Sequence, residues 1–135
     1  GTPNEIYTDP NNIFVAEFIG SPKMNIIKIN KDQIINSNTI KLFNNKITFE
    51  NFKFNDEIYL GIRPEDISIK SDRDIQLDVK IDLIENLGFE KIIYTRLSKN
   101  QIIIKSSENI NDQPLNISFS KDKILFFDKD KNRIR

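Results

Sequence analysis

The stretch Ile75-Gln76-Leu77-Asp78-Val79-Lys80-Ile81-Asp82-Leu83 alternates apolar and polar side chains without a break. A period of two puts all the apolar side chains on one face, so the stretch predicts a half-buried strand of an antiparallel sheet. At Leu83-Ile84 two apolar residues are adjacent and the alternation slips. Such a slip turns the following side chains to the other face, so we expect a bulge or bend there.

Other short apolar stretches separated by Asn-rich turns predict further strands. Asn44-Asn45 and Ser98-Lys99-Asn100 are the clearest turn candidates, because Asn tolerates positive φ. Many short strands with few helices favour a small closed or nearly closed barrel. The further predicted strands are Met24–Ile29, Thr39–Phe43, Lys46–Phe52, Glu57–Ile62, Ile67–Lys70, Lys91–Leu97, Gln101–Lys105, Leu115–Ser120 and Lys123–Phe127.

A short helix is predicted near the start of the chain, from Pro10 to Ile19. Asp9 can cap its free amides, and Pro10 fits the first helical position because its missing N–H costs nothing there. Gly20 and Pro22 end the helix, since Gly tolerates the left-handed exit and Pro cannot continue the turn.

Composition limits the classes of function. The 135 residues should form one compact domain, and 20 basic residues balance 20 acidic ones, which argues against a nucleic-acid partner. The sequence has no Cys and no His, so the usual nucleophile–base pairs cannot be built from it. It also lacks the glycine-rich loop that binds nucleotide phosphates and an apolar run long enough to span a membrane, and we expect no export signal.

Several polar motifs have two interpretations. Asp128-Lys129-Asp130-Lys131-Asn132 imitates the opening of a calcium loop, but Arg133 stands where that loop needs Gly, so a polar turn is favoured. Solvated loops are likewise favoured over metal or acid–base sites for Glu65-Asp66 and for the pair Asp72 and Asp74. Asn116-Ile117-Ser118 fits a glycosylation acceptor, but it lies in a predicted strand, and a chance match is the better interpretation.

Two segments resemble landmarks of one protein family. Phe18-Ile19-Gly20-Ser21-Pro22-Lys23-Met24-Asn25 and Leu60-Gly61-Ile62-Arg63-Pro64-Glu65 occur in the order and rough spacing seen in maltose-type ABC importer ATPases. Leu87-Gly88 with Glu90 and the closing Phe126-Phe127-Asp128 extend the match over nearly the whole chain. The sequence is therefore similar to the C-terminal regulatory (TOBE) domain of such an ATP-binding subunit.

The resemblance implies a mainly β fold, a small OB-like antiparallel β-barrel with a short N-terminal helix. Residues 1–22 correspond to the tail of the ATPase domain, and residues 23–135 to the regulatory domain. We expect no cofactor in this chain, with ATP and Mg bound by the ATPase domain of the parent. We also expect a homodimer, formed through the regulatory domain, that tethers the ATPase dimer. Transmembrane permease subunits and a regulatory protein are the further partners expected. The expected location is the inner face of the cell membrane.

The resemblance also implies a junction, regulatory or dimer surface. Each of its segments has a structural interpretation as well: a packed junction around Met24, a local ion pair and rigid turn at Arg63-Pro64, and a tight turn at Gly88 with Glu90 facing water. The candidate residues are Gly20, Ser21, Pro22, Met24, Asn25, Gly61, Arg63, Pro64, Glu65, Leu87, Gly88, Glu90, Phe127 and Asp128.

Two other functions remain open. Related barrels of oxyanion importers bind their transported anion, so the domain could sense an oxyanion or a sugar through hydroxyls at Ser21, Ser68, Ser106 and Ser107. A barrel that binds single-stranded nucleic acid is the weakest alternative, because the chain has no net charge.

Overall fold

The computed structural model describes residues 10–13, 22–110 and 114–135. Most of the predicted helix over Pro10–Ile19, together with Gly20 and Ser21, lies outside the described residues. Short 3-10 helices span Lys31–Gln33, Pro64–Asp66 and Lys121–Lys123. The strands are β1 (Asn25–Ile29), β2 (Ile34–Asn36), β3 (Thr39–Leu42), β4 (Asn45–Thr48), β5 (Ile58–Ile62), β6 (Ile75–Asn86), β7 (Lys91–Leu97), β8 (Asn100–Ser106), β9 (Leu115–Phe119), β10 (Leu125–Phe127) and β11 (Arg133–Ile134).

The strands form three sheets, with the orders β1-β5-β10-β11, β2-β3-β4 and β8-β7-β6-β9. The pairings of β10 with β5 and β11, and those within the β2-β3-β4 and β8-β7-β6-β9 sheets, are antiparallel. The predicted mainly β fold class is confirmed, and it is consistent with a small OB-like domain. The chain divides into two compact units, and the predicted domain boundary at residues 22 and 23 stays a prediction.

The first unit comprises Gly1–Gly20, Ile26–Gly61 and Ile124–Arg135. Its core is aromatic: the ring of Phe126 lies 4.7 Å from that of Phe49 and 5.0 Å from that of Phe54. Edge-to-face and tilted contacts at these centroid distances add to the free energy gained by burying the rings. Phe126 lies on β10, which pairs with β5 and β11 and thereby joins these strands around the cluster.

The second unit comprises Ser21–Asn25 and Ile62–Lys123, and β6 is its longest strand. β6 pairs with β9 from Ile75↔Phe119 to Val79↔Leu115, and with β7 from Lys80↔Arg96 to Asn86↔Lys91. The register shifts between Ile81 and Leu83, so the bulge expected from the slipped alternation is confirmed. Apolar side chains of β6 to β9 fill the core of this unit, at alternate positions in the first part of β6 and at adjacent positions in β7 to β9.

Some predicted elements are corrected. The predicted strand Ile67–Lys70 is wrong, because only an isolated bridge joins Ser68 to Ser118 and the Ser68 hydroxyl accepts the Lys70 N–H, a local bond that turns the chain. β4 ends at Thr48 rather than at Phe52. The first hairpin turn is Phe43-Asn44, one residue earlier than predicted, because Leu42 pairs with Asn45. Phe43 takes the positive φ there, at 55°.

Candidate functional site

Asn25 lies at the start of β1 and is only 5% exposed. Its carboxamide Nδ2 donates to the Ile103 carbonyl at 2.8 Å, and its Oδ1 accepts the Ile103 N–H at 2.8 Å. Because β8 is the edge strand of its sheet, this side chain pairs with Ile103 as a neighbouring strand would. Met24 beside it is 4% exposed. These two residues of the quoted motif therefore stabilise the second unit from inside.

The corner at Arg63-Pro64-Glu65 has the predicted geometry. Arg63 is extended, with φ −75° and ψ 143°, and Pro64 occupies the first position of a 3-10 helix. The Arg63 guanidinium lies 3.8 Å from the Asp66 carboxylate, so the local ion pair is present. Burial raises the pKa of Asp66 above its usual value, because desolvation disfavours the charged form. Pro64 is buried, whereas Glu65 is exposed.

The turn between β6 and β7 contains Leu87, Gly88 and Glu90. Gly88 has φ 94°, and its N–H donates to the Asn86 side chain at 3.1 Å. The Leu87 N–H donates to the Glu90 carbonyl at 2.8 Å, which closes the turn. The tight-turn interpretation is confirmed, and Glu90 is exposed with an ion pair of 3.3 Å to Lys105.

Three of the candidate residues that the structure describes belong to the first unit. Gly61 lies in β5 opposite Leu125, and Phe127 lies in β10 opposite Tyr59; both are buried. The Asp128 carboxylate accepts the N–H groups of Asp130 and Asn132, each at 2.9 Å. The segment is thus the polar turn that was favoured over a calcium loop. Among the described residues, no cluster of three carboxylates could hold a metal ion.

The candidate residues therefore differ in what they can present to a partner. Met24, Asn25, Pro64 and Phe127 are buried, so their side chains face the interior, and Gly61 is buried without a side chain to present. The exposed candidates are Glu65, Leu87, Gly88 and Glu90, while Pro22, Arg63 and Asp128 are half-buried. Gly20 and Ser21 lie outside the described residues.

The second unit contains an open cleft of about 620 Å³. Ser68, Ser106 and Ser107, three of the four hydroxyls expected of a ligand site, line it together. The sequence did not predict its charged residues, which come from four separate segments. The cleft is lined by three basic residues, Arg73, Lys105 and Lys123, and five acidic ones, Glu65, Asp66, Asp72, Glu108 and Asp122.

The charge of this cleft opposes anion binding. Asp72 is held ionised, because the hydroxyls of Ser68 and Ser118 hydrogen-bond its carboxylate and lower its pKa. With more carboxylates than basic groups, the lining repels an oxyanion more than it attracts one. Hydroxyls can, however, donate hydrogen bonds to a neutral polyol and accept them from it, and carboxylates can accept them.

A second cleft, of about 390 Å³, lies in the first unit beside Asp56. The Asp56 carboxylate is 2.9 Å from Lys129 Nζ and 3.6 Å from Lys31 Nζ. The hydrogen bond from Lys129 lowers the pKa of Asp56, and the same pair raises the pKa of Lys129. The Asp56 carboxylate and the Lys129 ammonium group are thus already paired with each other, which disfavours their use in binding a ligand.

Sequence reasoning missed one exposed feature. Four large apolar side chains at the far end of the β6–β7 hairpin are exposed: Leu83, Ile84, Leu87 and Phe89. The signal for it was the slipped alternation, since two adjacent apolar residues cannot both face the core of a two-sided strand. No helix among the described residues is long and apolar enough to cross a membrane.

Comparison with known proteins agrees with the quoted motifs. The TOBE domain profile matches residues 60–127, slightly more than half of the chain. The oligosaccharides import ATP-binding protein MsmX of Bacillus subtilis is 33% identical over 96% of this chain and 39% of its own length. The maltose/maltodextrin import ATP-binding protein MalK of Aliivibrio fischeri is 38% identical over 70% of this chain and 27% of its own length.

A third relative is the sn-glycerol-3-phosphate import ATP-binding protein UgpC of Psychromonas ingrahamii, 35% identical over 82% of this chain and 28% of its own length. The chain thus spans less than two fifths of these relatives. The resemblance to the C-terminal regulatory part of ABC importer ATP-binding subunits, inferred from the quoted motifs, is confirmed. The chain belongs to the TOBE domain family.

Proposed function

We propose that this chain is the regulatory and dimerisation domain of the ATP-binding subunit of a carbohydrate or glycerol-3-phosphate ABC importer. The observation that carries the proposal is the similarity to importer ATP-binding proteins over nearly the whole chain, including the TOBE match. In this role residues 1–22 end the ATPase domain and residues 23–135 form the regulatory domain. ATP and Mg bind to the ATPase domain of the parent.

The proposed mechanism is a tether. Two copies of the domain stay in contact while the paired ATPase domains close on ATP and part again, so that the dimer persists through the cycle. The parent contacts transmembrane permease subunits at the inner face of the membrane. A regulatory protein that prefers either the open or the closed state would shift the equilibrium only by its difference in affinity for the two.

The gene that encodes this chain provides the first test. Reading the frame upstream of the Gly1 codon should give a phosphate-binding loop and an ABC signature, since the ATPase domain precedes the regulatory domain in this proposal. An unrelated upstream domain, or a start codon next to Gly1, contradicts it. A second measurement is the mass of the chain in solution by light scattering, which should increase with concentration if the domain tethers a dimer.

The cleft of the second unit favours a second candidate function, the sensing of a neutral sugar. Ser68, Ser106 and Ser107 line the cleft together, and its excess of carboxylates suits a polyol better than an oxyanion. Calorimetric titration with maltose, glycerol 3-phosphate and sulfate at millimolar concentration distinguishes the classes. Heat with maltose alone supports this candidate, heat with sulfate supports an oxyanion sensor, and flat traces with all three contradict both.

A further inference from the structure

The far end of the β6–β7 hairpin, from Lys80 to Phe89, is called the hairpin arm below. Exposed apolar side chains concentrate there: Leu83 is 59% exposed and Phe89 is 94% exposed. Elsewhere in the described part of the chain the only exposed large hydrophobic residue is Ile35. Burying this apolar surface would remove it from water, so the arm is suited to contact another molecule.

The bulge decides which side chains of the arm share a face. Lys80, Leu83 and Glu85 lie opposite Arg96, Tyr94 and Ile92, which are alternate residues of β7. Alternate residues of a strand point to the same side, so Lys80, Leu83 and Glu85 also share one face. Without the extra residue at the bulge, Lys80 and Leu83 would point to opposite sides. The bulge therefore produces a face with a central Leu and one charge at either end.

Neighbouring charges are already compensated. The Arg96 guanidinium lies 3.3 Å from the Asp82 carboxylate, and Lys105 lies 3.3 Å from Glu90. Lys80 and Glu85 are both exposed and form no ion pair among the described residues. After these pairings the face has one positive end at Lys80 and one negative end at Glu85, about 13 Å apart along the sheet.

We propose that the hairpin arm contacts the arm of a second copy of this chain across a two-fold axis at Leu83. A two-fold contact uses the same patch on both copies, so it requires a face that complements itself. Turned about Leu83, Lys80 of each copy meets Glu85 of the other, and the two Leu83 side chains pack in the centre. This inference rests on the proposed tether function and names the surface that performs it.

The contact is made by side chains rather than by backbone pairing. A bulge interrupts the regular spacing of N–H and C=O groups, which disfavours the addition of a strand along the edge of β6 beyond Val79. A few apolar side chains and two exposed ion pairs bury far less than the roughly 800 Å² per partner of a standard interface. The association of the chain alone is therefore weak, and it is strengthened when other parts of a parent dimer also touch.

Sedimentation equilibrium of the full chain and of charge variants tests the proposal. Lys80→Glu and Glu85→Lys should each weaken self-association by about threefold to tenfold, because each places like charges together twice across the axis. The double variant with both changes should restore it, since the pairs form again with their signs exchanged. Leu83→Asn should weaken it by about tenfold. Far-UV circular dichroism checks the fold of every variant.

Ile35→Asn is the matched control, because Ile35 is exposed but lies outside the arm. The proposal is supported if the arm variants weaken self-association, the double variant restores it and Ile35→Asn leaves it unchanged. Self-association that none of the arm variants changes overturns this surface while leaving the tether function standing. A wild-type chain that stays monomeric at millimolar concentration overturns the tether and this surface together.

Discussion

The two halves of β6 differ in burial, although the strand alternates apolar and polar residues from Ile75 as far as Leu83. From Ile75 to Val79 the strand pairs with β9, and Leu77 and Val79 are 4% and 2% exposed. From Leu83 to Asn86 it pairs with β7, and its side chains are exposed. Each half pairs with one strand, so a hydrophobic pattern predicts a strand, but burial of its apolar face decides whether those side chains form core or surface.

The largest expected effect comes from shortening one Leu in each half. Leu77→Ala leaves a cavity in the core and should lower the free energy of unfolding by about 2–5 kcal/mol. Leu83→Ala removes an exposed side chain and should change it by no more than about 0.5 kcal/mol. Urea unfolding followed by circular dichroism measures both. Equal losses would mean that the far half also belongs to the core.

The edge of β8, unlike the far half of β6, is covered by a side chain. Asn25→Ala leaves the N–H and C=O of Ile103 without this partner and should cost about 1–3 kcal/mol. Asn25→Asp is the matched variant, because it keeps the acceptor for the Ile103 N–H but sets a carboxylate oxygen against the Ile103 carbonyl. We expect it to destabilise the chain at least as much. Unfolding midpoints unchanged in both variants would contradict a structural role.

Substitution in the turn of the hairpin arm should change the free energy of unfolding less. A Cβ at position 88 would meet no atom within 4 Å, so Gly88→Ala introduces only backbone strain from the positive φ of 94°. We expect a loss of about 1 kcal/mol. Ser98→Gly is the converse control: Ser98 has φ 56°, and Gly should relieve the strain there and leave stability equal or slightly higher. If Gly88→Ala lowered the free energy of unfolding by more than about 3 kcal/mol, the added methyl group would have to clash with other atoms.

The smallest expected effect concerns pH and the near half of β6. Ser118 lies opposite Gln76, and its hydroxyl, with that of Ser68, lowers the pKa of Asp72. A carboxyl group whose pKa is lower in the folded than in the unfolded state stabilises the fold at pH values above its unfolded-state pKa. This stabilisation disappears as the pH falls through the folded-state pKa. Asp72→Asn should therefore lower the melting temperature more at about pH 6 than at about pH 3. An equal difference at both pH values would exclude titration of Asp72 as the cause.

The sequence predicted those parts of the fold that depend on residues close to one another along the chain. Period-two alternation located most strands, and the slip at Leu83-Ile84 predicted the bulge. The short strands β2 and β11 were missed because two or three residues do not establish a period. The strand predicted at Ile67–Lys70 failed because serine side chains bond the local backbone there. These bonds compete with strand pairing, and alternation does not reveal them.

The candidate site was predicted less completely. The motif residues Met24 and Asn25 were found, but their burial was not, since family motifs mark structural residues as readily as surface ones. Three of the four serines proposed for a ligand site do line one cleft. Its five carboxylates come from separate segments, so their meeting depends on the tertiary fold. The net charge of a cleft is thus beyond what local pattern can predict.

A single chemical change at Asn25 would also alter the fold. Asn is among the residues lost to slow chemical damage, and deamidation would turn its carboxamide into a carboxylate. Its Nδ2 donor, now 2.8 Å from the Ile103 carbonyl, would become an oxygen that repels it. An aged molecule would then lose the only described partner of the Ile103 carbonyl along that side of β8. Hydrolysis of one carboxamide would thus remove the side chain that pairs with the β8 edge at Ile103, and an unpaired strand edge can add a strand of another molecule.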